Sequence, residues 1–160
     1  MKIAIVPGSF DPMTVGHLDV IKRASEAFES VVVAVMINET KKYTFSMEER
    51  LRIAELTCKG LDNVKVISDC GMLTDLAKRE GACAIVKGIR DAKDLKYEEE
   101  MARYNSSVAP DVRTVLLPCN EKLAHVSSTA VRERLARGVD ISDLVSENAL
   151  QYILDKASRG

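Results

Sequence analysis

Apolar positions change period several times along the chain, and each change marks an element. Ile3 to Val6 is a short apolar run, and Pro7-Gly8 closes it as a buried strand. From Gly16 the spacing lengthens. Leu18, Val20, Ile21, Ala24, Ala27 and Phe28 make one face of a helix, with Lys22, Arg23 and Glu26 on the other. Val31 to Ile37 is nearly continuous and mostly β-branched, the pattern of a parallel strand covered on both faces. Residues 2–37 therefore read as a βαβ unit.

The alternation continues. Ser46-Met47-Glu48-Glu49 is a capping box, in which hydroxyl and carboxylate each satisfy a free backbone N–H at a helix start. That helix runs on through Leu51, Ile53, Ala54 and Leu56. Val64 to Ile67 predicts a third strand, Met72 to Arg79 a helix ended by Gly81, and Cys83 to Val86 a fourth strand ended by Gly88. Leu95 to Ser106 predicts a helix, Thr114 to Leu117 a fifth strand stopped by Pro118, and Ser127 to Arg137 a helix stopped by Gly138. A last helix spans about Glu147 to Lys156, with Leu150, Ile153 and Leu154 on one side. Strands alternating with helices predict an α/β fold: one domain over residues 1–160, built on a doubly wound parallel sheet of five strands. Such sheets bind ligands where loops leave the carboxyl ends of the strands.

Composition narrows the class. The chain has 160 residues, 46% apolar and 29% charged, which suits a folded globular domain. Formal net charge is −1, so the whole-molecule field gives no reason to expect nucleic acid or a membrane as partner. Any phosphate site must concentrate its cations locally. Cys58, Cys70, Cys83 and Cys119 form no CxxC pair and have no histidine at zinc-ligand spacing, so free thiols in a reducing compartment are expected. The start reads as a strand rather than a signal peptide, and no apolar stretch reaches the roughly 20 residues of a membrane span. The expected location is the cytoplasm.

Two helix starts carry candidate chemistry. Pro7-Gly8-Ser9-Phe10-Asp11-Pro12-Met13-Thr14-Val15-Gly16-His17 joins the first strand to the first helix, where N–H groups and the helix dipole favour an anion. It is neither a GxxxxGK[ST] loop nor a GxGxxG fingerprint. His17, at the first helical turn, offers an imidazole N–H to a phosphate oxygen. Val126-Ser127-Ser128-Thr129-Ala130-Val131-Arg132 opens the helix after strand five with three hydroxyl side chains. Between them lie the basic segments Lys41-Lys42 and Lys87-Gly88-Ile89-Arg90.

The tetrad Thr14-Val15-Gly16-His17 resembles the TxGH signature of the nucleotidyltransferase superfamily, and the run from Val126 to Arg132 resembles its ISSTxxR motif. The longer PGSFDPxTxGH string is similar to that of the bacterial phosphopantetheine adenylyltransferase family, and the likeness runs nearly end to end. The resemblance implies a Rossmann-like nucleotidyltransferase fold and adenylyl transfer from ATP to 4′-phosphopantetheine in coenzyme A biosynthesis. It implies His17, Lys41 and Arg90 as catalytic residues. It implies nucleotide contacts from Ser9, Phe10, His17, Gly88, Ile89, Arg90 and Glu98, and from the stretch Leu123, Ala124, His125, Val126, Ser127, Ser128 and Thr129. Ser9, Lys41, Met72, Leu73 and Lys87 match positions that take the acceptor. Two positions depart from the family: serine stands at 9 where threonine is frequent, and lysine at 87 where arginine is common. Lysine keeps the charge and loses the bidentate fork. Mg²⁺ riding on the ATP phosphates and a homohexamer are also implied.

The chemistry fits what the chain lacks. A phosphate monoester is largely a dianion at neutral pH and needs no general base. No Ser-His-Asp set or close carboxylate pair is expected, and the work falls to positioning and charge stabilisation. Competing readings are a transferase acting on nicotinamide mononucleotide, or one using CTP and glycerol 3-phosphate, which tends to show HxGH. A nucleotide-binding module without turnover is another. A Rossmann dehydrogenase would need the glycine fingerprint.

Overall fold

The computed structural model describes residues 1–158, in which five parallel strands form one sheet in the order β3-β2-β1-β4-β5. The strands are β1 (Ile3–Gly8), β2 (Ser30–Met36), β3 (Val64–Asp69), β4 (Ala84–Ile89) and β5 (Arg113–Pro118). The helices are α1 (Val15–Ala27), α2 (Met47–Thr57), α3 (Leu73–Glu80), α4 (Ala92–Val108), α5 (Ser128–Ala136) and α6 (Glu147–Ala157). The chain begins at the centre of the sheet, winds outward through β2 and β3, then crosses back to β4 and β5. This is the doubly wound α/β arrangement expected from the alternation of periods.

Strand pleating sorts the core into two layers. Ala4 and Val6 pack with Val20 and Ile21 of α1, Ile53 of α2 and Ile153 of α6. Ile5, between them, packs on the other face with Leu76 and Ala77 of α3. Successive strand side chains point to opposite faces, so a strand under helices on both sides must be apolar throughout. That is why β1 and β2 read as unbroken apolar runs.

Two strand ends differ from the sequence expectation, and both differences shape the site. Pro7-Gly8 does not close β1: both residues remain in register with Ala34 and Val35 of β2. Pairing of β1 with β4 covers only Ala4–Ala84 and Ile5–Ile85. Beyond Ile5 the two central strands part, so a proline there interrupts no ladder to β4. The fourth strand likewise runs past Val86, with Lys87, Gly88 and Ile89 paired to Leu116, Leu117 and Pro118. The KGIR segment is thus mostly strand, and its side chains alternate in direction. Helix α4 starts at Ala92 rather than Leu95, because the Asp91 side chain accepts the Asp94 N–H and caps it.

Candidate active site

The parting of β1 and β4 opens a crevice at the carboxyl ends of the central strands, where doubly wound sheets reverse direction. It holds a cavity of about 390 Å³, within the range of small-molecule sites. The loop after β1, the first turns of α1 and α5, the end of β4 and the loop after β2 all reach it. Four cationic side chains line it: Lys41, Lys87, Arg90 and Arg132. Asp11, Asp94 and Glu98 stand among them. Four cations against three carboxylates give this one cavity a local cationic excess in a chain of net charge −1, as a phosphate site requires.

His17 is held by the start of its own helix. The Thr14 hydroxyl accepts the N–H groups of Gly16 and His17 at 3.2 and 3.3 Å. In return the Thr14 backbone N–H donates to His17 Nδ1 at 3.0 Å. This is a capping box with histidine where glutamate or glutamine usually sits. A backbone N–H can only donate, so Nδ1 must be the acceptor and the ring proton sits on Nε2. The Phe10 ring meets the imidazole edge-on, with centroids 5.0 Å apart. Phe10 has a left-handed backbone, φ 48°. Its ring lies where a Cβ on Gly8 would come within 2.8 Å, so Gly8 makes room for the side chain that braces His17.

Burial, then the positive charges of Arg90 and Lys87, push the His17 pKa down to about 4. At neutral pH the ring is therefore an uncharged Nε2–H donor. The native state binds fewer protons than the unfolded chain between pH 4 and 6.5, so the His17 contribution to stability falls as pH drops through that window. We expect nitrogen NMR of the ligand-free protein to show the Nε2–H form of His17 down to about pH 5 and protonation near pH 4. Saturating ATP should move that titration upward, because its phosphates offset the Arg90 and Lys87 fields. Protonation near pH 6.5 without ligand would contradict the assignment.

The second motif is spent partly on holding the first. Ser127 caps α5 through the Ala130 N–H, and the Ser128 hydroxyl donates to the Pro12 carbonyl at 2.7 Å. Arg132 Nη1 donates to the Asp11 carbonyl at 2.8 Å, and its Nη2 donates to the Thr129 hydroxyl at 3.1 Å. The Ser128 hydroxyl and the Arg132 guanidinium thus fasten the loop after β1 against α5. What α5 offers an anion is the N–H groups of Ser128 and Thr129 at its start, since the Ala130 N–H is taken by the cap. Gly88 lets α1 approach β4, since a Cβ there would stand 2.9 Å from Val20 Cγ2.

The remaining cations are held by exchangeable partners. Arg90 Nε lies 3.2 Å from Asp94 Oδ2, Lys87 Nζ 3.3 Å from Glu98 Oε1, and Lys41 Nζ 3.3 Å from the Ser9 hydroxyl. Lys87 also lines a second, smaller cavity of about 70 Å³ on the α4 side, with Leu73, Ile85, Tyr97, Met101, Asn105 and Thr114. The strand character of β4 explains this: Lys87 and Gly88 point to opposite faces.

Of the residues the sequence points to, the first cavity gathers Ser9, Phe10, His17, Lys41, Lys87, Gly88, Arg90, Glu98, Leu123, Val126, Ser127, Ser128 and Thr129. Leu73 lines the second. Met72, Ile89, Ala124 and His125 line neither. Met72 is an exposed N-cap position of α3, Ile89 gives its carbonyl to the Cys119 N–H, and His125 lies 3.8 Å from Asp143 on the surface. Sequence reading gives no role to Thr14, Asp11, Asp94 or Arg132, all of which line the first cavity. The spacing from Thr14 to His17 is that of an N-cap and its N3 residue, and Arg132 ends the second motif, so two of the four carry a signal. Asp11 and Asp94 carry none.

Known proteins are similar to this chain in sequence and in fold. The family model described as cytidylyltransferase-like matches residues 5–134, which sets the class as nucleotidyltransferase. A phosphopantetheine adenylyltransferase of Clostridium novyi (strain NT) is 40% identical over 159 residues, covering 99% of each chain. One from Alkaliphilus metalliredigens (strain QYMF) is 41% identical over 157 residues, covering 98% of this chain and all of its own. The chain belongs to the phosphopantetheine adenylyltransferase family. A crystal structure of a candidate nicotinate-nucleotide adenylyltransferase from Vibrio parahaemolyticus superposes with a TM-score of 0.76. It covers 98% of this chain and 94% of its own, and at 22% identity it speaks to the fold alone.

Proposed function

We propose that the chain transfers the adenylyl group of ATP to 4′-phosphopantetheine, giving dephospho-coenzyme A and pyrophosphate, a step of coenzyme A biosynthesis. The observation that carries this reading is the neutral His17, its Nε2–H left free at a helix start inside a cation-lined cavity. An acceptor phosphate oxygen attacks the α-phosphorus in line. A P–O bond forms there, and the bond to the β-phosphate oxygen breaks with both its electrons leaving on pyrophosphate. No proton must be removed from the nucleophile. His17 donates to the α-phosphate oxygen that gains charge, and Lys41, mobile at the end of its stem, follows the same charge. Arg90 and the first N–H groups of α5 hold the leaving pyrophosphate.

The second cavity suits the acceptor arm. It is a narrow apolar slot with Asn105 and a buried Thr114 hydroxyl that has no protein partner, a fitting site for an amide. Lys87 lines both cavities and is the cation for the acceptor phosphate, released from Glu98 as the phosphate enters.

Mg²⁺ fits as an ion carried on the ATP phosphates. Among the described residues no group of three His, Cys, Asp or Glu side chains is arranged to hold a metal, and magnesium is commonly bound through phosphates and water. When bound it would neutralise charge on the β- and γ-phosphates. We extend the reading to a cytoplasmic homohexamer. Among the described residues no helix is long and apolar enough to cross a membrane. Tyr97, Met101, Tyr104 and Val108 leave an exposed apolar stripe along α4 that suits contact with another copy.

Incubation with ATP, Mg²⁺ and each acceptor in turn tests the reaction. Pyrophosphate should appear with 4′-phosphopantetheine and not with nicotinamide mononucleotide or nicotinate mononucleotide. Release with either mononucleotide alone, or with none of the three, overturns the reading. Sedimentation of the purified protein tests the assembly, and a monomer would remove it.

A further inference from the structure

Arg50 is a buried cation on α2 that does not line the cavity. Its Nη1 donates to the Ser9 carbonyl at 2.8 Å and to the Met36 carbonyl at 3.2 Å, tying together the segments that follow β1 and β2. Its Cζ stands 3.7 Å from the centroid of the Tyr43 ring. The same ring lies 5.5 Å from Lys41 Nζ, and the Tyr43 hydroxyl accepts the Asn38 N–H at 2.9 Å. Lys41 N–H in turn donates to the Asn38 carbonyl at 3.0 Å. Tyr43 therefore folds back across the turn that carries Lys41, and Arg50 is the platform beneath it.

An arginine is a costly way to fill interior volume, and an apolar side chain of similar size would do so without desolvating a charge. Arg50 Nε has no protein partner, so the site is not built to satisfy the guanidinium fully. What the guanidinium does reach is the ring beside Lys41 and the residue whose hydroxyl Lys41 donates to. Lys41 is exposed, and a free lysine side chain spreads over many rotamers. We infer that Arg50, through the Tyr43 ring and Ser9, is a positioning residue that aims Lys41 into the cavity; this rests on Lys41 acting at the reacting phosphate.

Two readouts test it. The first is kinetic. Tyr43 is half-buried, so Tyr43→Leu should fold. It should lower kcat on the order of tenfold with little change in KM for ATP, as misplacing a catalytic group does. Tyr43→Phe, which keeps the ring and loses the hydroxyl that accepts the Asn38 N–H, should lose clearly less than Tyr43→Leu, and Tyr43→Leu should cost nothing further in a Lys41→Ala background. The second readout needs no turnover. Acylation of lysines in the ligand-free protein, read by mass spectrometry, should show the Lys41 to Lys42 labelling ratio rising severalfold in Tyr43→Leu and in Arg50→Met. An equal loss of activity with and without Lys41, or an unchanged labelling ratio, overturns the inference. If Arg50→Met does not fold, Tyr43→Leu decides alone. If the wild type transfers to no acceptor, the proposed function fails, and the labelling ratio still decides whether Arg50 and Tyr43 aim Lys41.

Discussion

His17→Ala is expected to lower kcat by about 10²–10³, equivalent to roughly 2.7–4 kcal/mol of barrier, with a much smaller change in ATP dissociation constant. The reason lies in the tautomer. The Thr14 N–H fixes Nδ1 as acceptor, so the proton on Nε2 is in place before substrate arrives. A donor fixed in this way costs no reorganisation when charge develops on the α-phosphate, and its value is greatest in the transition state. On the proposed binding mode the triphosphate would still meet Arg90, Lys41 and the start of α5, which line the same cavity, so binding should survive. Pre-steady-state kinetics with a separate ATP binding measurement would divide the two effects. If ATP affinity fell as far as kcat/KM, His17 would be a ground-state ligand only. Thr14→Val gives a milder version: the backbone N–H still holds the ring, while the hydroxyl that accepts from Gly16 and His17 and lies 3.1 Å from His17 Nδ1 is lost.

Much of the fold is legible in the chain itself. The β-branched run from Val31 to Ile37 and the helical faces on either side define the sheet, because burial on both faces leaves a period that nothing else mimics. The two motifs mark the two helix starts. Long-range hydrogen bonding is what periodicity cannot carry. Ser128 reads as a phosphate-type hydroxyl, yet its proton goes to the carbonyl of Pro12, 116 positions away. Lys87-Gly88-Ile89 reads as a loop because glycine commonly ends strands, but pairing with β5 outlasts the glycine and turns Ile89 away from the first cavity. Arg50 sits in a charged helical stretch, Glu48-Glu49-Arg50-Leu51-Arg52, where neighbouring charges are ordinarily solvated. Only the fold shows that it is among the largest fully buried side chains. In each case a local rule of the chain gives way to a contact made by distant backbone.

Asp11→Asn is expected to destabilise the fold by about 1.5–3 kcal/mol, the range for hydrogen bonds to a charged group. Asp11 is 5% exposed, and its two oxygens accept the N–H groups of Phe45 and Thr44, each at 2.9 Å. An amide of the same shape presents one oxygen and one NH₂. Its one oxygen can serve only one of the two, so either the buried Phe45 N–H or the part-buried Thr44 N–H meets another donor and loses a charge-assisted bond. The change also removes a negative charge that acts on the buried Arg50 guanidinium, the cation beneath Tyr43. Urea unfolding should therefore show a lower midpoint with an unchanged slope, the mark of lost stability rather than a more compact unfolded state. Activity should fall even well below the unfolding temperature, because the two N–H groups anchor the far end of the Lys41 turn. A variant as stable as wild type would mean that the turn finds other acceptors, and the bridge from the first motif through Asp11 to Lys41 would then have to be abandoned.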